Sequence, residues 1–191
     1  PKHAKTCSEQ SAARMIAKSG AKPKRTILFI GFAGEEFGLL GAQAWVKAHK
    51  DKLPKIANLF NRDGGPEPPV GISVPQAMYD DFVKISEPIQ KIRPDYPFEV
   101  KVREPRKRPT RMGGTDASVF AIEGVPTLGF TTEDFKGYDF DYGEIWHTER
   151  DLYTKNIPEY QEHTATVTAI IALGVANLDK QLSREGLYTE E

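Results

Sequence analysis

The chain has very little cysteine and no long apolar run. Cys7 is the single cysteine among 191 residues, which excludes an intrachain disulfide and leaves the redox compartment open. No apolar run approaches the roughly 20 residues that a bilayer span needs, and no signal peptide is visible. Lys and Arg total 26 against 27 Asp and Glu, so the composition gives no charge bias toward nucleic acid or an anionic membrane.

Strand-like and helix-like patterns alternate along the chain. Apolar or alternating runs predict four strands, at residues 26–33, 56–60, 98–102 and 127–131. Helical spacing of apolar residues predicts helices between and around them, at residues 8–18, 37–50, 78–92, 117–122 and 157–178. This alternation predicts an α/β fold, a three-layer sandwich in which a mixed sheet is flanked by helices. We expect residues 1–191 to form a single domain.

Several local expectations accompany these elements. A spacing of three or four residues predicts one helical face made of Phe37, Leu40, Ala44 and Ala48. Proline and glycine between residues 64 and 75 predict a loop, and residues 132–155 are also expected to be rich in loops. Pro88 should kink or end its helix. Asn156 is expected to cap the long closing helix.

Two adjacent glutamates, Glu35 and Glu36, follow the apolar run at residues 26–33. A carboxylate at the end of a buried strand is costly unless a metal or another cation accompanies it. Adjacent carboxylates can divide the work, since one can bind a metal while the other accepts a proton from water. The alternative is a solvated pair in the first turn of a helix, where the dipole favours negative charge.

Two other strand-like runs also lead to candidate ligands. Asp63 follows residues 56–60, and residues 127–131 lead to the loop that carries Tyr142, Trp146 and His147. Sites in open α/β sheets gather at the carboxyl ends of strands, and Glu, Asp and His suit a catalytic zinc ion. The alternatives are a turn residue for Asp63 and a buried core histidine for His147.

Asp116 lies in the sequence Gly113-Gly114-Thr115-Asp116, just before a predicted helix. One interpretation is that its side chain caps this helix. The other is that it orients a metal ligand or binds the amine of a substrate.

Four sequence signatures together resemble those of peptidase family M28, the zinc aminopeptidase and carboxypeptidase group. In chain order they begin at Phe32 (FAGEEFGLLG), Asn61 (NRD), Gly113 (GGTD, followed by Phe120 and Gly124-Val125-Pro126) and His147 (HTERD). The resemblance covers roughly residues 10–180. It implies a zinc-dependent exopeptidase that hydrolyses peptide bonds with metal-activated water and uses two zinc ions in the complete family site.

The resemblance also implies roles for individual residues. Glu35 would be the general base, and Glu36 and His147 would bind one metal ion. Asp63 would bind the other ion. Asp116, Tyr142 and Trp146 would contact the substrate or orient the ligands.

One family feature is absent from this sequence. Family members carry a His-x-Asp segment and an Asp that bridges both metals, upstream of the Glu-Glu pair. The 34 residues before Glu35 contain one histidine, His3, and no aspartate. We therefore expect a partial catalytic domain without its N-terminal strands, inactive unless its missing part joins it as a partner. His3 and Cys7 are weaker candidates for a substitute metal site.

Two other function classes stay open. A non-catalytic binding or interaction domain could keep the fold and lose the metals. A nucleic-acid binder has support only from the basic cluster at residues 101–111, which prolines and Glu104 interrupt. We expect no nucleic-acid partner and no membrane span. The resemblance suggests a secreted or periplasmic protein, although the chain opens with Pro1 and shows no signal peptide.

Overall fold

The computed structural model describes residues 2–189 of the chain, and the side chains of residues 8–189. Its six α-helices are α1 (Lys2–Lys18), α2 (Leu40–Ala48), α3 (Gln76–Ile92), α4 (Ala117–Ile122), α5 (Tyr142–Ile145) and α6 (Pro158–Asn177). Its strands in the described part are β1 (Leu59–Phe60), β2 (Pro69–Val74), β3 (Glu99–Val102), β4 (Thr127–Leu128) and β5 (Phe130–Thr132). The α/β class and the mixed strand directions agree with the prediction from the sequence.

The strands form two ladders. β1 pairs with β4 in parallel, with Leu59 opposite Thr127. β2 lies between β3, its parallel neighbour, and β5, its antiparallel neighbour. The apolar run predicted as one strand at residues 127–131 therefore divides at Gly129, and each half joins a different ladder. β2 itself lies within residues 64–75, which were predicted to be a loop.

Two apolar cores hold the elements together. The larger core packs α3 and α6 against β2, with Phe82, Ile72 and Ile171 almost completely buried. The smaller core joins α2 and α4 through Ala42, Val46 and Phe120. Burial of apolar surface contributes about 25 cal/mol per Å² to the free energy of folding. The two cores therefore hold the helices and strands in place, and the loops that connect them start from these fixed elements.

The predicted strand at residues 26–33 is wrong for this structure. The segment has no regular secondary structure and joins neither ladder, and Leu28 and Ile30 are exposed. A segment is a β-strand only when its backbone forms ladder hydrogen bonds with a neighbouring strand. No described residue pairs with residues 26–33 in such a ladder. The apolar pattern alone could not reveal this lack of a partner.

Two local predictions about helices also need correction, and of the two outcomes predicted for Pro88 the structure excludes one. The core face of α2 consists of Ala42 and Val46 with the preceding Leu39, whereas Phe37 and Leu40 are exposed. Pro88 lies inside α3 and does not end it. α6 begins after Ile157, with Pro158 in its first turn and no side-chain cap, so Asn156 does not cap this helix.

α6 packs tightly against α3 at Gly174. A Cβ atom on Gly174 would lie 3.0 Å from Cγ1 and 3.1 Å from Cβ of Ile85, which is closer than carbon atoms normally pack. Glycine in a helix interior costs about 1 kcal/mol relative to alanine, so this contact has to offset that cost.

We therefore expect Gly174→Ala to lower the free energy of unfolding, because overpacking typically costs about 1–3 kcal/mol and exceeds the gain in helix propensity. Urea unfolding followed by circular dichroism measures the change. The double variant Gly174→Ala/Ile85→Ala should show a smaller effect of the alanine at 174 than the wild-type background does. A stabilised Gly174→Ala chain would contradict the close contact.

His163 is a buried histidine of α6. Its Nε2 donates to the carbonyl oxygen of Pro69 at 3.0 Å, and its ring stacks on Tyr96 with 3.9 Å between centroids. Its Nδ1 is buried and has no hydrogen-bond partner among the described residues. Burial lowers the pKa of His163 to about 4, although the hydrogen bond to the Pro69 carbonyl opposes this shift. His163 is thus a neutral core residue.

The His163 pKa predicts a pH-dependent loss of stability. The unfolded chain binds a proton at this histidine near pH 6.5, whereas the folded chain does so only near pH 4. The free energy of unfolding should therefore fall as the pH falls through this interval, by up to about 1.4 kcal/mol per pH unit. Urea unfolding at pH 7, 6 and 5 measures this slope. His163→Phe should flatten it, and an equal slope in both proteins would refute the assignment.

Candidate functional site

The Glu35-Glu36 pair lies in a tight loop between residues 26–33 and α2. The Glu35 carbonyl oxygen accepts hydrogen bonds from the backbone N–H groups of Gly38 at 3.0 Å and Leu39 at 2.8 Å. Leu39 has a left-handed φ of 60° and is nevertheless buried in the smaller core. This buried leucine anchors the loop, because a left-handed leucine is costly unless packing over-determines it.

Glu36 contacts His147 across the chain. The Nε2 atom of His147 lies 3.2 Å from a carboxylate oxygen of Glu36. Both side chains are partly exposed, so this pair is open to solvent and to a ligand. A histidine nitrogen and a carboxylate oxygen at this separation can both reach one cation, since zinc binds each at about 2.0–2.2 Å.

A short helix and its caps present His147. Asp141 accepts a hydrogen bond from the N–H of Gly143 at 2.8 Å and so caps α5. The N–H of Trp146 donates to the Tyr142 carbonyl at 2.9 Å, and the Trp146 ring lies 4.7 Å from the His147 ring. His147 itself has a left-handed φ of 55°. Such backbone strain often occurs at functional sites.

The loop before α5 is fastened to the start of α6. Tyr160 donates to Asp134 at 2.6 Å, and Lys136 forms a 3.0 Å ion pair with Glu159. Burial raises the pKa of Asp134, but hydrogen bonds from Tyr160 and from backbone N–H groups outweigh it and lower the pKa overall. Asp134 is therefore a charged acceptor that holds the segment leading to α5.

Asp63 follows β1, and Asp116 lies near it. Burial raises the pKa of the Asp116 carboxyl, and the negative charge of Asp63 raises it further. Asp116 has helical dihedral angles and makes no capping hydrogen bond to α4, which argues against a simple cap. Its Oδ1 atom is buried and has no hydrogen-bond partner among the described residues. Asp116 thus faces Asp63 as a second, partly buried acid.

All seven residues predicted for the site line one cleft with a volume of about 1900 Å³. They are Glu35, Glu36, Asp63, Asp116, Tyr142, Trp146 and His147. Glu35, Glu36, Asp63 and His147, which follow three different strand-like runs of the sequence, thus line the same cleft. The roles of all seven residues as base, ligands and substrate contacts stay predictions. The cleft is also lined by Ser8, by residues 26–32 and by one side of α6.

The donor types suit zinc, but their number is small. Glu36 and His147 come together as a pair, and Asp63 lies with Asp116. Among the side chains of residues 8–189, no three or more from His, Cys, Asp and Glu are grouped so that they could hold a metal ion. His3 and Cys7, suggested as substitute ligands, lie outside the described side chains. Zinc normally takes three or four protein ligands, so this set fits in kind and falls short in number.

Analysis of the sequence did not single out Arg62 or Asp151, which also line the cleft. The feature that could have identified Arg62 is its position as a basic residue between an apolar run and the candidate ligand Asp63. The signal for Asp151 was its place four residues after His147, inside one of the four signatures.

The basic cluster at residues 101–111 makes contacts within the protein. Arg106 donates to the Thr127 carbonyl at 2.7 Å, and Arg108 donates to the Ile122 carbonyl at 2.6 Å. Arginines committed to backbone carbonyls hold the chain around β4 and α4. Their geometry gives no support to a nucleic-acid surface.

Sequence comparison agrees with the four signatures. The profile of Peptidase family M28 matches residues 10–171. Mouse carboxypeptidase Q is 24% identical over 178 residues, which are 91% of this chain and 34% of the mouse protein. The chain therefore spans about a third of the length of this curated relative.

Solved structures share the fold. A peptidase M28 precursor from Shewanella amazonensis superposes with a TM-score of 0.72 at 25% identity, covering 94% of this chain and 38% of that one. BSAP, a zinc aminopeptidase from Bacillus subtilis, gives a TM-score of 0.61 at 17% identity over 95% of this chain and 42% of the other. The second likeness concerns the fold alone.

Proposed function

Because the chain belongs to peptidase family M28, we propose that it is part of the catalytic domain of a zinc-dependent exopeptidase. Its substrate would be a peptide. The observation that carries this proposal is the 3.2 Å contact between Glu36 and His147 in the cleft that Glu35, Asp63 and Asp116 also line. An acid and a histidine that share one cation, with a second carboxylate adjacent in sequence, suit metal-assisted hydrolysis.

Each residue has a proposed role. Glu36 and His147 would hold one zinc ion, and Asp63 would hold the second. When bound, zinc supplies positive charge that polarises a carbonyl group and lowers the pKa of water. Glu35, on the same loop as Glu36, would accept the proton from water and pass it to the leaving amine.

The remaining cleft residues would bind and orient. Asp116 can offer a buried carboxylate oxygen to a substrate amine or to a ligand side chain. Tyr142 and Trp146 bring a hydroxyl group and a partly exposed aromatic surface to the same cleft. Aromatic walls with few polar groups are typical of sites that hold organic ligands.

We infer that a further part of the domain completes the site. Residues 26–32 make no backbone-to-backbone hydrogen bond among the described residues, and Leu28, Phe29 and Ile30 are partly or largely exposed. An unpaired apolar edge invites another strand. Together with the small ligand set, this supports a partner segment that supplies strands and the bridging carboxylate.

A second candidate is a non-catalytic binding domain. It is favoured by the lack of a three-residue ligand group among the side chains of residues 8–189. It is opposed by the Glu36–His147 contact, which such a domain would not need. A secreted or periplasmic location stays a prediction from the family resemblance. In the described part of the chain, no helix is both long enough and apolar enough to cross a membrane.

For the 191-residue chain by itself, we expect weak zinc binding and no measurable hydrolysis of amino-acid arylamides. The reason is that Glu36 and His147 supply two ligands where zinc needs three or four. Metal analysis after dialysis, together with an arylamide assay, measures both properties. About one or two zinc ions retained per chain, with hydrolysis, would overturn the incomplete site and direct attention to His3 or Cys7.

A second expectation concerns the complete, active domain. Glu35→Gln should reduce turnover by roughly a hundredfold or more and spare the zinc content, because a general base contributes about 10²–10⁴ in rate. Glu36→Gln, the matched neighbour, should instead lower zinc affinity. Turnover and bound zinc are measured on both variants, and equal zinc loss from the two substitutions would refute the division of roles.

A further inference from the structure

Arg62 lies directly before Asp63 and folds the following turn onto itself. Its Nη2 donates to the carbonyl oxygen of Gly65 at 2.8 Å and also to that of Glu67. Burial lowers the pKa of Arg62, while the carboxylates of Glu9 and Glu67 raise it. A guanidinium group that binds two carbonyls of one turn fixes the backbone of that turn, since its donors have a rigid geometry.

The same turn touches the segment that leads to His147. A Cβ atom on Gly65 would lie 2.7 Å from Cζ of Phe140 and 3.1 Å from Cδ2 of Tyr142, so the turn and this segment pack without spare room. Thr132 donates to the Glu67 carboxylate at 3.0 Å, close to the beginning of that segment. The Arg62 turn is therefore in contact with the chain on which α5 and His147 depend.

We propose that Arg62 is a positioning residue that holds the Asp63 carboxylate in the cleft by bracing residues 63–67 against the Phe140–Tyr142 side. This inference rests on the proposed function, because it assigns Asp63 a role toward a metal ion. Arg62 contacts no reacting group in this account. It acts through the backbone of the turn.

The positive charge of Arg62 lets zinc affinity distinguish a positioning role from a purely electrostatic one. A cation adjacent to a cation site disfavours metal binding, so removing the charge of Arg62 should strengthen zinc binding if electrostatics alone mattered. A positioning role predicts the opposite, because a loosened turn no longer presents the Asp63 carboxylate. Loss of a residue that orients a metal ligand typically costs about 10–100-fold in affinity.

The test uses the full chain, with Arg62→Met and Arg62→Lys as variants. The first measurement needs no metal: NMR order parameters of the backbone amides of Asp63, Gly64 and Gly65. In the wild type these should be near the rigid value of about 0.85, and in Arg62→Met they should fall toward about 0.6. Arg62→Lys keeps the charge and should restore rigidity in part.

The second measurement is a zinc titration followed by amide chemical shifts, carried to millimolar zinc so that weak binding is visible. Arg62→Met should raise the zinc concentration for half-maximal shift at Asp63 by about tenfold and leave the response at His147 unchanged. Lys55→Met is the matched control, because Lys55 is an exposed cation that lines the same cleft and lies outside the turn. It should weaken neither response.

The outcomes separate the possibilities. Flexible amides together with a weaker response at Asp63 support the proposal. Unchanged order parameters, or tighter zinc binding in Arg62→Met, overturn it. Flexible amides with an unchanged zinc response would make Arg62 a structural residue only, which also overturns it. If zinc shifts no amide at Asp63 in the wild type, the metal role of Asp63 fails, while the order parameters still report on the brace.

Discussion

The constraint on which the site depends is the repulsion between acidic side chains that face one cleft. Glu35, Glu36, Asp63 and Asp116 all line it; burial raises the pKa of the Asp116 carboxyl, and the negative charge of Asp63 raises it further. Charges of one sign at close range are tolerated only when counter-charges or ions accompany them. Two nitrogen-bearing groups of the described chain lie among these acids: His147, whose Nε2 is 3.2 Å from Glu36, and Arg62, which lines the same cleft.

Glu36 and His147 are held in place by two separate sets of contacts. The buried, left-handed Leu39 anchors the loop of Glu36, and the network of Asp134, Tyr160 and Lys136 fastens the segment that leads to His147. These two anchors belong to separate parts of the chain, so the Glu36–His147 contact depends on tertiary packing. The grouping of these acidic residues in one cleft is thus a consequence of how the loops are fastened.

The sequence predicted residues that line one cleft more successfully than it predicted the elements around them, and the roles of those residues stay predictions. Short signatures identify Glu36, Asp63 and His147 because the chemistry restricts which residue types can serve. The strand at residues 26–33 was predicted wrongly, since apolar pattern cannot show whether a neighbouring strand exists to pair with it. The core face of α2 was assigned to Phe37 and Leu40 because the left-handed turn at Leu39, which shifts the register, leaves no local signal. Arg62 was overlooked since its partners are backbone carbonyls, which no side-chain pattern reveals.

The central claim is that Glu36 and His147 jointly bind one metal ion while Glu35 stays free of metal to accept a proton. Anomalous diffraction at the zinc edge, from crystals of the complete domain grown with zinc, tests it most directly. The account predicts an anomalous peak within about 2.0–2.2 Å of a Glu36 oxygen and a His147 nitrogen, with the Glu35 carboxylate outside bonding distance. A peak bound by Glu35, or zinc found only away from the Glu36–His147 pair, would contradict it.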